Sequence, residues 1–299
     1  MIGIILDQSH WNKRCYFPKA IASGAIATFI RAGSIDNSNG LPYTDYIFHE
    51  NVADAIQYSV PFGAYFYSRP RFDGNIQGRY FANLVRPYQE QMKLPAVVDV
   101  EEFAETPIMA AENIKKIIYQ LQSFGFKVMI YTRQTIWDFG VVSDLLWSTI
   151  DLWAARWTSD PLSSPWGDGR YKFRDWNAWK YWQKEANGNG RAAEFGFPPY
   201  PIGDNDVDIS SYNGTKEDFE REYGAIVQPP PQLVQYEVLI DGLNIRSEPQ
   251  IIAGNSIGNR KVGDVITVLE YGGNNFWVKD DRGWSAINYN GNSYMKRIE

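Results

Sequence analysis

The sequence predicts an α/β barrel followed by a small all-β domain, and three observations predict it. Short apolar runs alternate with segments of helical periodicity over residues 1–225. Three consecutive prolines, Pro229, Pro230 and Pro231, then interrupt the chain. Beyond them come only brief β-branched or aromatic runs, separated by Gly, Asn and Asp.

An apolar run of four to eight residues suits a strand buried on both faces. Such runs lie at residues 2–6, 27–30, 63–67, 96–100, 128–131, 152–155 and 180–183, and a further strand-like segment ends at Tyr212. Between them, residues 46–58, 76–92, 107–124 and 135–147 carry apolar side chains at helical spacing. Repeated strand-then-helix order specifies a parallel sheet, because a helical crossover brings the chain back to run in the same direction. A unit of this length with such strands is expected to close into an eight-stranded barrel. The prolines favour a stiff, extended segment, which divides the chain into a barrel at 1–225, a linker at 226–234 and a second domain at 235–299. In that last part, runs at 236–240, 265–271, 276–279 and 284–288 with turn residues between them predict a small all-β domain.

Composition narrows the partners. The formal charge is −6 and Lys and Arg form no run, which argues against nucleic acid. Cys15 is the sole cysteine and His10 and His49 are the only histidines, so neither a disulfide framework nor a His/Cys zinc site is expected. The first residues carry no basic segment before their short apolar run and no small-residue cleavage site, and no stretch reaches about 18 uninterrupted apolar residues. The expectation is a soluble protein made in the cytoplasm without a signal peptide and without a membrane span. Aromatic residues make up 15% of the chain, with 11 Trp and 19 Tyr. Some of those rings are expected in a groove, where their flat faces suit sugar rings.

In a parallel barrel the active site lies at the C-terminal ends of the strands, so acids that terminate apolar runs are the candidates. Asp7 ends the first run, Asp99 and Glu101 end the run at 96–100, and Asp206 and Asp208 precede Tyr212. Asp99 and Glu101 are two apart on a strand and share one side, with Cα atoms about 6.5 Å apart. Paired carboxylates on one face suit glycosidic cleavage: one donates a proton to the leaving oxygen, and the other stabilises positive charge or activates the attacking group. An ionised Asp99 and partial burial would both keep Glu101 protonated near neutral pH. Most Asp-x-Glu triplets are solvated; this one follows Leu94, Pro95, Ala96, Val97 and Val98, where burying a charge without a purpose would be costly.

These residues resemble glycoside hydrolase family 25, the Ch-type lysozymes. The resemblance runs in order through residues 3–7, 9–11, 29–32, 63–65, 94–101, 128–132, 152–155, 181–183 and 207–208. It implies a flattened, irregular TIM-like β/α barrel and hydrolysis of the β-1,4 bond from N-acetylmuramic acid to N-acetylglucosamine, with no organic cofactor and no metal. Carried onto this chain, Glu101 matches the general acid/base. Asp99 matches the carboxylate that stabilises an intermediate formed by the substrate's own acetamido group. Asp7 and Asp208 match two further cleft acids, with Asp206 as a competitor for the last place. Tyr65, Tyr131, Trp153, Trp182 and Gln183 fall at positions of substrate contact. The chain departs from the family in having Phe66 and Tyr67 where a His usually follows Gly-Ala-Tyr, in Gln8, and in an inserted loop at 156–175.

Residues 236–299 resemble a bacterial SH3 module through Gly242, Leu243, Asn244, Ile245, Arg246, Pro249, Val262, Gly263, Asp264, Gly283 and Trp284. That implies a second partner, wall peptides, beside the peptidoglycan glycan strands of the barrel. Which of Tyr271, Trp277, Trp284 and Tyr289 face ligand is left open by the sequence. The composite resembles a phage endolysin, a monomer acting on the wall after release from the host cytoplasm. Rival readings are a chitinase-like hydrolase, a non-catalytic wall-binding protein, and a metallohydrolase with Asp7, Asp99 and Asp208 as ligands.

Overall fold

The computed structural model describes residues 2–159, 164–167, 169–186, 190–198, 206–225, 235–268, 270–272, 277–280, 282–289 and 292–298. The chain divides into two compact units, Met1–Pro229 and Pro230–Glu299. The expected linker at 226–234 lies outside the described residues.

Among its described residues the first unit has nine strands: β1 (Ile2–Gln8), β2 (Ala25–Ile35), β3 (Pro42–Thr44), β4 (Phe62–Ser68), β5 (Ala96–Val100), β6 (Val128–Arg133), β7 (Asp151–Ala155), β8 (Tyr181–Glu185) and β9 (Asp208–Tyr212). Eight of them close a ring in the order β1-β9-β8-β7-β6-β5-β4-β2, with β1 pairing back to β2, while β3 adds to the outer edge of β2. The ring is parallel from β1 through β2 and β4 to β8. β9 departs from the expected parallel order and runs antiparallel to both neighbours. The physical reason is its connection: the described part of the segment between β8 and β9 holds only a 3-10 turn at Ala192–Phe195 and no crossover helix, so β9 starts at the end of the barrel where β8 stops.

Among the described residues six α-helices accompany these strands: α1 (Phe17–Ala22), α2 (Phe48–Gln57), α3 (Gly74–Val85), α4 (Pro107–Ser123), α5 (Gln134–Gly140) and α6 (Lys216–Tyr223). Their starts follow capping chemistry. Asp73 accepts the backbone N–H groups of Asn75 and Ile76, Thr106 accepts that of Met109, and Thr215 forms a reciprocal capping box with Asp218. Two helices are shorter than their periodicity predicts. α3 stops before Pro87, whose ring and missing N–H disfavour the α conformation, and the chain tightens into a 3-10 turn at Arg86–Tyr88. α5 stops at Gly140 because the β-branched Val141 that follows is extended.

Side chains alternate across the sheet and make two cores. Ile5, Phe29, Val97, Met129, Tyr131, Trp153, Tyr181 and Tyr212 fill the barrel interior. Leu6, Ile30, Val98, Ile130, Leu152, Ala154 and Trp182 face outward into a second core that includes the buried sides of the helices. No helix covers the sheet between β7 and β8 among the described residues; Phe173 from the expected insertion, with Trp176 and Trp179 just after it, fills that part of the outer core instead. None of the described helices is long and apolar enough to cross a membrane.

The second unit, as described, is built of strands and turns: β10 (Gln235–Val238), β11 (Leu243–Arg246), β12 (Ser256–Arg260), β13 (Val265–Thr267), β14 (Glu270–Gly272), β15 (Trp277–Asp280), β16 (Gly283–Ala286), β17 (Asn288–Tyr289), β18 (Asn292–Ser293) and β19 (Met295–Ile298). They form sheets ordered β13-β10-β19, β12-β11-β16-β15-β14 and β17-β18. Arg260, buried, donates to both oxygens of Asp280 at 2.8 and 2.6 Å and to Ser285 at 2.8 Å, so its charge is fully engaged inside this small unit. Trp277 and Trp284 are buried in its core. The side chains of Tyr271 and Tyr289 lie outside what is described.

Candidate active site

A cavity of about 260 Å³ opens where the parallel strands end. Asp7 comes from β1, Arg31 from β2, Tyr65 and Tyr67 from β4, Asp99 from β5, Glu101 from the residue after β5, Tyr131 from β6 and Trp153 from β7. Asp206 and Asp208 reach the same cavity because β9 is antiparallel and begins at this end. The direction reversal of one strand therefore delivers the fourth acid of the cluster. Asp7 and Asp208 face each other in the β1–β9 ladder. Asp206 is engaged differently: its Oδ1 accepts the backbone N–H of Gly190 at 2.8 Å, and its carbonyl accepts Asn12 Nδ2 at 2.9 Å.

Gln183 corrects an expectation. It is wholly buried and stands behind the acids, so it positions groups instead of meeting a substrate. Its Nε2 donates to Asp7 Oδ2 at 3.4 Å and Asp208 Oδ2 at 3.3 Å, while its Oε1 accepts the Tyr131 hydroxyl and Trp157 Nε1, each at 2.7 Å. One amide thus links two acids to two rings.

Burial dominates the electrostatics. It pushes the Asp99 carboxyl well above the ordinary carboxylate range, with Glu101 and Asp7 adding to the rise and Arg31 and Arg133 opposing it. Glu101 is raised first by burial; Arg133 opposes, and Asp208 raises it further. Asp7 is raised well above its ordinary value by burial and then by Asp208, against a hydrogen bond from Tyr65. Asp99 Oδ1 is buried and has no hydrogen-bond partner among the described residues. Among the described residues Glu101 is paired with Arg133, whose Nε lies 3.9 Å from Oε2, beyond hydrogen-bonding reach. Acids that interact this closely cannot all ionise together and titrate as a coupled set. The cluster therefore holds both a proton to give and negative charge to stabilise a cation.

The expected rings separate into three kinds. Tyr65 and Tyr131 line the cavity, and Tyr65 shares a hydrogen bond with Asp7. Trp153 forms the floor: it stacks on Phe29 at 4.5 Å between ring centroids and donates Nε1 to Ser210 Oγ at 2.9 Å. Trp182 is a correction. It is 0% exposed, belongs to the outer core and donates Nε1 to the Arg156 carbonyl at 2.9 Å. Alternation along β8 sends Tyr181 and Gln183 inward and turns Trp182 away from the cavity.

Sequence reasoning missed Arg31, Arg133, Tyr67 and Trp11. Arg31 and Arg133 carried a readable signal, since each is a charge in or just after an apolar run, the same signal that marked the acids. Tyr67, in the place left by the missing His, donates to Glu102 Oε1 at 3.2 Å, while its neighbour Phe66 packs outward. Among the described residues, no three His, Cys, Asp or Glu side chains converge as metal ligands do.

Residues 6–191 match the model of the family described as glycosyl hydrolases family 25. Among solved structures, the bacterial lysozyme from Streptomyces coelicolor is similar at 20% identity and a TM-score of 0.59, over 75% of this chain and 98% of that one. The CTP1L endolysin is similar at 16% identity and a TM-score of 0.55, over 75% of this chain and 70% of that one. The modular autolysin LytC from Streptococcus pneumoniae, solved with a synthetic peptidoglycan ligand, is similar at 16% identity and a TM-score of 0.53, over 70% of this chain and 46% of that one. At these identities the likeness is one of fold. No curated protein matches the sequence.

Proposed function

Because the chain belongs to glycosyl hydrolases family 25, we propose that this glycoside hydrolase is a lysozyme of the muramidase type. It cuts the β-1,4 bond between N-acetylmuramic acid and N-acetylglucosamine in peptidoglycan. The observation that carries the reading is the convergence of Asp7, Asp99, Glu101 and Asp208 on one cavity, with burial holding three of them above the ordinary carboxylate range.

In this mechanism Glu101 gives its proton to the glycosidic oxygen as the bond to the anomeric carbon breaks. The acetamido carbonyl oxygen of the same sugar attacks that carbon, closing a cyclic intermediate whose positive charge the unpartnered Asp99 oxygen stabilises. Water then adds to the anomeric carbon and returns a proton to Glu101, restoring the acetamido group. Gln183 donates to both Asp7 and Asp208 and so fixes the two further acids of the cavity. The second unit is assigned to wall binding as a bacterial SH3-like module, on the strength of its sequence pattern and its all-β build. The likeness of the barrel to an endolysin supports a role in phage lysis, and its likeness to an autolysin supports the alternative of a bacterial wall-remodelling enzyme; the two-part chain suits either.

Mass spectrometry of borohydride-reduced digests tests the assignment. Wild type should release new reducing muramic acid ends, and Glu101→Gln should lower turnover by about 10²–10⁴-fold while remaining folded. Reducing N-acetylglucosamine ends would favour the glucosaminidase or chitinase-like alternative, and full activity in Glu101→Gln would remove Glu101 from the mechanism.

A further inference from the structure

We propose that Trp11 and Tyr46 form a sugar-binding ledge that carries the glycan past the acid-lined cavity and holds an N-acetylated hexose beyond those flanking the cut bond. The proposal rests on the peptidoglycan reading above. Trp11 is 64% exposed and Tyr46 69% exposed. Isolated exposed rings are common on protein surfaces, but these two are joined and fixed. The His10 ring packs against both, 4.5 Å from Trp11 and 5.4 Å from Tyr46 between centroids.

A buried carboxylate anchors the arrangement. Asp45, 2% exposed, accepts the His10 backbone N–H at 3.1 Å through Oδ2, which also lies 2.7 Å from His10 Nδ1. Its Oδ1 accepts the Ile47 N–H at 3.2 Å, tying the turn that bears Tyr46 to the turn that bears Trp11. The Trp11 N–H donates to Ser9 Oγ at 3.3 Å, and the Ser9 carbonyl accepts Asn12 and Lys13. Lys13 completes the turn in the left-handed region at φ 65°, an uncommon conformation for a residue with a side chain, and its Nζ donates to the Tyr46 hydroxyl at 2.5 Å. Rings left in water and held this firmly have lost freedom in advance, which lowers the entropy cost of binding a ligand.

Trp11 also lines the cavity that holds the acids, so the ledge is continuous with the site. A pyranose offers C–H groups on its face and hydroxyl and acetamido groups at its rim. The indole face suits the first, and the Lys13 ammonium and Tyr46 hydroxyl at the edge suit the second. Trp153 and Trp182, both buried, offer no such face.

Cleavage of muramic acid-containing tetrasaccharide and octasaccharide by wild type, Trp11→Ala, Trp11→Phe and Tyr46→Ala tests the proposal. Trp11→Ala should lose about tenfold in kcat/KM on the octasaccharide, carried by KM, with kcat, pH profile and melting temperature kept. Trp11→Ala should lose less on the tetrasaccharide than on the octasaccharide, Tyr46→Ala should show a smaller loss on the octasaccharide and cut the tetrasaccharide as wild type does, and Trp11→Phe should recover most of the Trp11→Ala loss. Equal losses at both lengths, or none, would overturn the ledge. If wild type cuts neither substrate, the functional reading fails instead, and titration with chito-octaose decides the ledge: weaker binding by Trp11→Ala supports it and unchanged binding overturns it.

Discussion

Glu101 and Glu222 sit at opposite ends of one barrel. Glu222, in α6, meets the end where the parallel strands begin, and it accepts Lys180 Nζ at 2.8 and 3.0 Å and the Tyr212 hydroxyl at 2.7 Å. Although burial alone would raise its pKa, the hydrogen bonds from Lys180 and Tyr212 hold it below the ordinary range. Glu101 is desolvated, with no cation in hydrogen-bonding contact among the described residues, and its pKa goes up. The difference lies in compensation rather than in burial. A structural acid is given donors until its charge is stable, whereas Asp99 Oδ1 has none among the described residues.

Exchanging each kind of acid for its amide sharpens this contrast. Asp99→Asn should lower kcat by about 10²–10³-fold with little change of shape, because it removes charge stabilisation from the proposed transition state. Glu222→Gln should leave kcat within about twofold but reduce unfolding free energy on the order of 1–2 kcal/mol, read from urea midpoints, since charge-assisted bonds are lost at a partly exposed site. A large loss of kcat from Glu222→Gln, without unfolding, would break the comparison. Trp182 offers a second break point. Trp182→Phe should cost about 1–3 kcal/mol through lost packing and the lost bond to the Arg156 carbonyl, with KM unchanged. A stable variant with a raised KM would return this ring to the groove.

The parts of this molecule that repeat were legible in sequence. Apolar runs marked the strands, and the acids that ended them, Asp7, Asp99 and Glu101, meet in one cavity because parallel strands finish on one side. The misplacement of Trp182 was avoidable: consecutive residues on a strand cannot both face the barrel interior, so Gln183 inward requires Trp182 outward. The direction of β9 was less accessible, since it depends on the connection from β8, which carries no helical pattern to reveal it. Trp11 and Tyr46 were out of reach for a different reason. Their orientation is set by Asp45 and His10, a contact between loops 35 positions apart that no local periodicity encodes.

The same contrast has opposite signs in the dependence of stability on pH. Asp7, Asp99 and Glu101 have raised folded values, so the folded chain keeps protons that the unfolded chain releases above about pH 4. The stability they contribute is present below that pH and is lost as pH rises through their folded values. Glu222, lowered, does the reverse: its contribution is present above its unfolded value and is lost as pH falls through the folded one. Above about pH 4 the cavity acids therefore drive stability down as pH rises through their folded values, and Asp99→Asn should remove part of that slope. Wild type and variant should melt together near pH 4 and separate as pH rises. At neutral pH the variant should melt about 2–4 °C higher, a gain on the order of 1 kcal/mol from removing a desolvated carboxylate. A variant that melts lower than wild type at neutral pH would mean that the Asp99 carboxylate is compensated as Glu222 is, and the distinction between the two ends of the barrel would fall with it.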